Sequence, residues 1–93
     1  MSQVSIRIPT PLRSLTGGAA DVSVDADTVG AALQAVEAQH EGLKGRLLTA
    51  EGELRGFVNV FLGDDDIRTL DGLGTAVADG ASISVLPAVA GGR

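Results

Sequence analysis

The chain has 93 residues, 44% of them apolar, no cysteine and a net charge of −5. That is one domain's worth of chain, able to bury roughly 60–65% of its unfolded surface, and the apolar fraction excludes a disordered tail. The missing cysteines exclude a disulfide framework, a zinc–thiolate site and a side-chain thiol nucleophile, while the acidic balance and a mere two Phe, without Tyr or Trp, argue against nucleic acid as a partner.

The chain opens with "QVSIRIP" (Gln3–Pro9), where Val4, Ile6 and Ile8 alternate with Ser5 and Arg7. That period of two predicts a half-buried strand. Pro9 and Pro11 end it, because neither donates to a ladder, and Gly17-Gly18 marks a turn or loop. "DVSV" (Asp21–Val24) resumes the alternation, so strand, turn and strand read as a hairpin. The period then changes. Val29, Ala32, Leu33 and Val36 fall at i, i+3, i+4 and i+7, which predicts a helix near Thr28–Gln39. Asp27 or Thr28 suits its N-cap, and Gly42 suits the left-handed position past its end. Leu43, Leu47 and Leu48 prolong the apolar run in a short helical turn, and Thr49–Gly56 is a polar excursion without period. "FVNVFL" (Phe57–Leu62) is the clearest strand, β-branched and aromatic between two glycines. "GDDD" turns the chain, "IRTL" reads as a short edge strand, and the glycine-punctuated "DGLGTAVADG" precedes a last strand, "SISVLP" (Ser82–Pro87). Two strands, a helix, then strands predict an α+β fold with one helix on one face of a sheet.

Ordinary catalytic chemistry finds little support. His40, the single histidine, stands at the helix end, where its imidazolium would complement the helix dipole, and no Ser or Cys partner is spaced for catalysis. Asp64, Asp65 and Asp66 lack the alternating ligands and distal Glu of a calcium loop. They read as an exposed turn, suited to partners with basic surfaces. "GTAVADG" lacks the Lys-Ser/Thr of a phosphate loop. No catalytic residue and no metal site is predicted. No apolar run approaches the roughly 18 residues of a membrane span, and no signal peptide is recognisable, so the expected location is cytoplasmic, with no membrane partner.

Two features remain. If the helix covers the sheet face of Val4, Ile6, Ile8, Val22, Val24, Val58, Val60, Leu62, Ile83 and Val85, alternation sends Arg7, Phe57, Asn59, Phe61, Ser84 and Leu86 to the other face. Phe57, Phe61 and Leu86 then form a partner-docking patch, unless the Thr49–Gly56 excursion folds over the two aromatics or the strand register is a different one. The second feature is the ending "PAVAGGR" (Pro87–Arg93). From Ala88 to Gly92 such a thread reaches about 17 Å when extended. It is expected to be mobile or extended in the free protein and anchored at Pro87.

The order strand, hairpin, helix, "FVNVFL", "ADGASISVLPAVAGG" resembles the ubiquitin-like sulfur carriers of the MoaD/ThiS family over nearly the whole chain. Val58-Asn59, Ala78–Gly80 and Gly91-Gly92 carry the resemblance, and "GLGTAVADG", "LPAVAGG" and the long Thr49–Gly56 excursion fit its CysO-type branch, the actinobacterial carriers of cysteine biosynthesis. The resemblance implies a β-grasp, with the first and last strands adjacent and parallel at the centre, over residues 1–87, and a flexible tail over 88–93. It implies no enzyme and no bound cofactor, but a carrier whose Gly92 carboxylate, following Ala90 and Gly91, is adenylated with ATP-Mg by an E1-like adenylyltransferase/sulfurtransferase and converted to a thiocarboxylate. The missing cysteine then makes sense, because the sulfur sits on the chain end. The implied partners are that enzyme, which docks on Phe57, Phe61 and Leu86, a PLP-dependent cysteine synthase and a JAMM-type metallopeptidase. Within the same family, a molybdopterin synthase small subunit or another thiocarboxylate donor fits too. So does a ubiquitin-like modifier conjugated to lysines. A pure interaction domain with an inert tail is a further reading. Arg93 departs from the Gly-Gly ending: a peptidase removes it, or it is an engineered residue, or carrier function is lost.

Overall fold

Apolar residues on every second position give the first two strands one inward face each. A computed structural model describes residues 2–56 and 58–87, with Pro87 described by its backbone. β1 (Ser2–Arg7) and β2 (Asp21–Ala26) pair antiparallel from Ser2↔Ala26 to Arg7↔Asp21. Val4, Ile6, Val22, Val24 and Ala26 are buried on the inward face. The connection is longer than a tight hairpin. Pro9 ends β1 in extended conformation and opens a 3-10 helix, Thr10–Thr16, which Gly17 closes at φ 67. Arg13 ties this loop back, its Nε donating to the Ile8 carbonyl at 3.0 Å.

Helix α1 (Val29–Gln39) starts where predicted, with the Thr28 hydroxyl accepting from the Ala31 N–H at 3.1 Å. Val29, Ala32, Leu33 and Val36 are the buried stripe. The helix stops differently. His40 is the C-cap in extended conformation, its N–H donating to the Val36 carbonyl at 3.0 Å. Gly42 is therefore no left-handed cap: it lies in a separate 3-10 turn, Glu41–Leu43, at negative φ. A Cβ there would meet Leu15 at 3.3 Å, so the glycine serves close packing against the first loop.

The apolar run past the helix is buried in full at Leu43, Leu47 and Leu48. The polar excursion closes on itself through a Leu48↔Leu54 bridge. β3 (Val58–Leu62) follows. The edge strand is β4 (Asp65–Asp66), not "IRTL": Ile67–Thr69 forms a 3-10 turn capped by the Asp66 carboxylate, which buries Ile67. Once that carboxylate accepts the Arg68 N–H, the backbone is bent and cannot extend the ladder. β5 (Ser82–Pro87) pairs parallel to β1 and antiparallel to β3, so the sheet order is β2-β1-β5-β3-β4. The chain thus forms a mixed five-stranded β-grasp sheet crossed by one main helix. Its central strands are the first and last, as the resemblance implies.

Candidate functional site

Because α1 covers one face, the side chains at the odd positions of β1, β2 and β3 and the even positions of β5 stand on the open one. Strand register lines them up. Asp21, Arg7, Ser84, Phe61 and Asp66 form one row across all five strands. The next row pairs Leu86 with Asn59. Phe61 and Leu86 are thus diagonal neighbours, about 7–8 Å apart by backbone spacing. Phe61 is half-buried and Leu86 is 44% exposed, while Val58, Val60, Ile83 and Val85 between them are buried on the helix side. The register expected for Phe61 and Leu86 holds, and Leu62 is half-buried at the edge of the core. Phe57, the third candidate of the patch, lies outside the described residues, as do Ala90, Gly91, Gly92 and Arg93.

The polar side of the patch is fixed by a network that the sequence does not announce. The Asp66 carboxylate accepts from the Arg68 backbone N–H at 2.9 Å and from its guanidinium at 2.9 and 3.2 Å. Arg68 Nη2 donates at 2.7 Å to Asn59 Oδ1. The guanidinium beside Asp66 and the backbone N–H that it accepts hold this carboxyl below its ordinary range. The same pairing raises Arg68. Asp64 and Asp65 are exposed as expected, whereas Asp66 is engaged. A signal was available: Asp66 stands two residues before Arg68, the spacing of an Asx-type cap.

β5 ends where β1 ends and where β3 begins, since Val58 faces Pro87. At that corner Pro9, Pro11, Leu12 and Leu86 form a hollow of about 100 Å³, and Arg46 borders it. A second depression shares Pro9, Pro11 and Leu86 and adds Arg7 and Arg13. β5 thus reaches its last residue, Pro87, beside this shelf. Among the described residues no group of three His, Asp or Glu side chains is placed to hold a metal. His40 is a half-buried helix cap with no nucleophile in its spacing. No helix among the described residues is long and apolar enough to cross a membrane.

Comparison with known proteins supplies what geometry alone does not. The ThiS family model matches residues 6–92. The sulfur carrier protein CysO of Mycobacterium tuberculosis is 47% identical over 91 residues, which cover 96% of this chain and 98% of that one. The small archaeal modifier protein 3 of Haloferax volcanii is 47% identical over 70 residues, 74% of this chain and 75% of its own. Among solved structures, a chain of the BexX/CysO complex of Amycolatopsis orientalis superposes with a TM-score of 0.85 at 42% identity, covering 92% of this chain and 96% of that one.

Proposed function

As the chain belongs to the ThiS family, we propose that it is a sulfur carrier for cysteine biosynthesis whose Gly92 carboxylate is activated and converted to a thiocarboxylate. The observation that carries this reading is the 47% identity to CysO across 96% of the chain, together with a family match that runs to Gly92 and stops short of Arg93. The chemistry needs nothing from the fold but delivery. A carboxylate is a poor acyl donor. Attack of the Gly92 carboxylate on the α-phosphate of ATP releases pyrophosphate and leaves an acyl-adenylate. A sulfur nucleophile then displaces AMP. Both steps need acids, bases and a metal site, and among the described residues no group is placed to hold a metal. Those come from a separate E1-like enzyme that uses ATP-Mg, and the chain itself is no enzyme.

The parts of this chain then take distinct roles. Phe61 and Leu86, with Phe57 by alternation, dock the activating enzyme. Ala90, Gly91 and Gly92 enter its active site, where glycines pass a passage too narrow for a Cβ. The thiocarboxylate is consumed with a PLP-dependent cysteine synthase, and a JAMM-type metallopeptidase releases the product and removes Arg93. The complex formed by the Amycolatopsis CysO relative supports protein docking as the mode of action. A second reading, a modifier conjugated to lysines, is favoured by the identity to the archaeal modifier protein. In it, the same adenylate meets an amine in place of sulfur.

Arg93 decides the test, because the Gly92–Arg93 bond must be cut before Gly92 has a free carboxylate. ATP–pyrophosphate exchange is measured with the E1-like adenylyltransferase of a CysO-bearing mycobacterium on chains with and without Arg93. We expect exchange only for the chain that ends at Gly92. Equal exchange for both overturns the processing step, and no exchange for either overturns the carrier reading. Intact mass after sulfide addition separates the two readings: one oxygen replaced by sulfur marks the carrier, whereas conjugates to lysine mark the modifier.

A further inference from the structure

Strand polarity gathers five of the chain's aspartates at one end of the sheet. β1 and β5 are parallel and β3 is antiparallel to both, so the sheet has one end where β5 finishes and another where it starts. At the starting end stand Asp25 opposite Gln3, and Asp79, which accepts the Gln3 N–H at 2.8 Å. Asp27 is there too, its carbonyl accepting from Val77, as are Asp64 and Asp65, next to Gly63, which donates to Ser82. At the finishing end the two joined hollows are bordered by Arg7, Arg13 and Arg46 around Leu86. Arg7 is weakly engaged: it meets Asp21 at 3.7 Å, with both side chains more than half exposed. Arg46 is exposed, and Arg13 is held at the hollow by its bond to the Ile8 carbonyl.

We propose that this end of the sheet docks on a protein surface with an acidic rim. Carboxylates of the partner meet Arg7, Arg13 and Arg46, and an apolar side chain of the partner enters the hollow beside Leu86. The proposal rests on the carrier reading, and its partner is the activating enzyme. Charge complementarity selects that occupant. Three guanidinium groups around an apolar floor of prolines and leucines suit scattered carboxylates on a protein. They do not suit a polyanion, which a chain of net charge −5 repels as a whole. Fork-shaped guanidinium donors pair carboxylates in two-point geometry. The five aspartates at the far end add to the effect: a partner with a negative rim attracts the arginine end and repels the other, so the end where β5 finishes arrives first. The acid-rich composition suggests basic partners. The placement of the charges gives this end the opposite preference.

The same exchange assay, run on the chain ending at Gly92, tests it with carrier concentration varied. For the Arg7→Glu/Arg46→Glu variant, we expect the KM for the carrier to rise about ten-fold or more, with kcat within about two-fold, since rim charges act on encounter and not on chemistry. Asp64→Lys/Asp65→Lys, at the far end, should leave the KM equal or lower. For the wild-type chain, the KM should climb by about ten-fold between about 25 and about 300 mM NaCl. This arm needs no variant to fold. A KM indifferent to the arginine reversal in a variant of unchanged melting temperature, or indifferent to salt, overturns the proposal and leaves the carrier reading standing. No exchange by the wild-type chain overturns both. A dimer in light scattering that Arg46→Glu dissolves assigns the face to a second copy. Amide shifts at Leu12 and Arg46 on deleting residues 88–93 assign it to the chain's own tail. Either result also overturns the proposal.

Discussion

Asp66 shows how much a single position can carry. Its backbone forms the ladder's last rung opposite Phe61, while its carboxylate caps the Ile67–Thr69 turn and holds the Arg68 side chain that donates to Asn59. The Arg68 side chain, and after it the Arg68 backbone N–H, keeps Asp66 ionised below the usual carboxylate range. The sign for stability follows from linkage. A folded value below the unfolded one means that the contribution is complete above about pH 4 and is lost as pH falls through the folded value. Arg68→Ala removes the first cause and leaves the second, so the Asp66 carboxyl should titrate closer to an ordinary Asp and the acid-unfolding midpoint should move up in pH. Carbon-detected NMR titration of that carboxyl reads the shift. An unchanged titration would show that the backbone N–H alone holds Asp66 down. In "GDDDIR" only the two-residue spacing from Asp66 to Arg68 hints at this cap; that Asp66 also stands opposite Phe61, while Asp64 and Asp65 face water, is decided by the ladder.

At the scale of elements, period was the dependable signal. The helix begins and ends within a residue of its predicted span, because the stripe Val29, Ala32, Leu33, Val36 has a cap on Thr28 and a clean polar flank. β3 and β5 lie where alternation puts them. The elements that escaped were the two-residue β4 and the 3-10 turns outside Glu41–Leu43, which carry no period long enough to read, and Thr10–Thr16 is hidden by Pro9 before it and Pro11 within it. Glu37 escaped for another reason. On the helix it reads as a solvated charge beside the stripe, yet its carboxylate turns to the chain that follows and accepts from the N–H groups of both Leu47 and Leu48 at 3.1 Å. That contact fastens an irregular segment whose leucines are buried in the core and whose backbone is otherwise paired outside the sheet, through the Leu48↔Leu54 bridge and the Arg55 N–H donating to the Leu47 carbonyl. Glu37→Ala should therefore destabilise the fold by about 2–3 kcal/mol, the cost of leaving buried donors unpaired. Hydrogen exchange should speed up at Leu47 and Leu48 before it does in α1. Full protection of those amides in the variant would mean that another acceptor replaces the carboxylate. Gly30 makes the complementary point at the other end of the helix. An alanine there would ordinarily favour helix, but its Cβ would stand 3.0 Å from the Leu73 carbonyl oxygen, so α1 and the Gly72–Gly74 turn approach as they do because that position has no side chain.

Across the whole molecule, charge and topology act together in a way that composition conceals. A net charge of −5 describes the chain as acidic throughout, but strand direction collects Asp25, Asp27, Asp64, Asp65 and Asp79 at one end of the sheet and arginines at the corner where β5 finishes. A sequence reader can count these residues. Placing them requires knowing that β1 and β5 are parallel, which no local pattern states and which followed here from family resemblance. Salt should then act on folding and on docking in opposite directions. Crowded aspartates repel one another in the folded state, and this repulsion is relieved when the chain unfolds and the charges spread. Added salt screens it, since charges spaced around a surface interact over about the 10 Å Debye length of 0.1 M solution. The melting temperature should rise by a few degrees, on the order of the 4–8 °C that about 1 kcal/mol is worth in a domain of this size. Docking through the arginine corner weakens over the same range. Calorimetry in increasing NaCl checks the first, and sodium sulfate at equal ionic strength separates screening from surface exclusion, because exclusion differs between the two salts and screening does not. A melting temperature that falls with salt would mean that attractive pairs outweigh the repulsion, and Asp66–Arg68 and Arg7–Asp21 would be the pairs to break next.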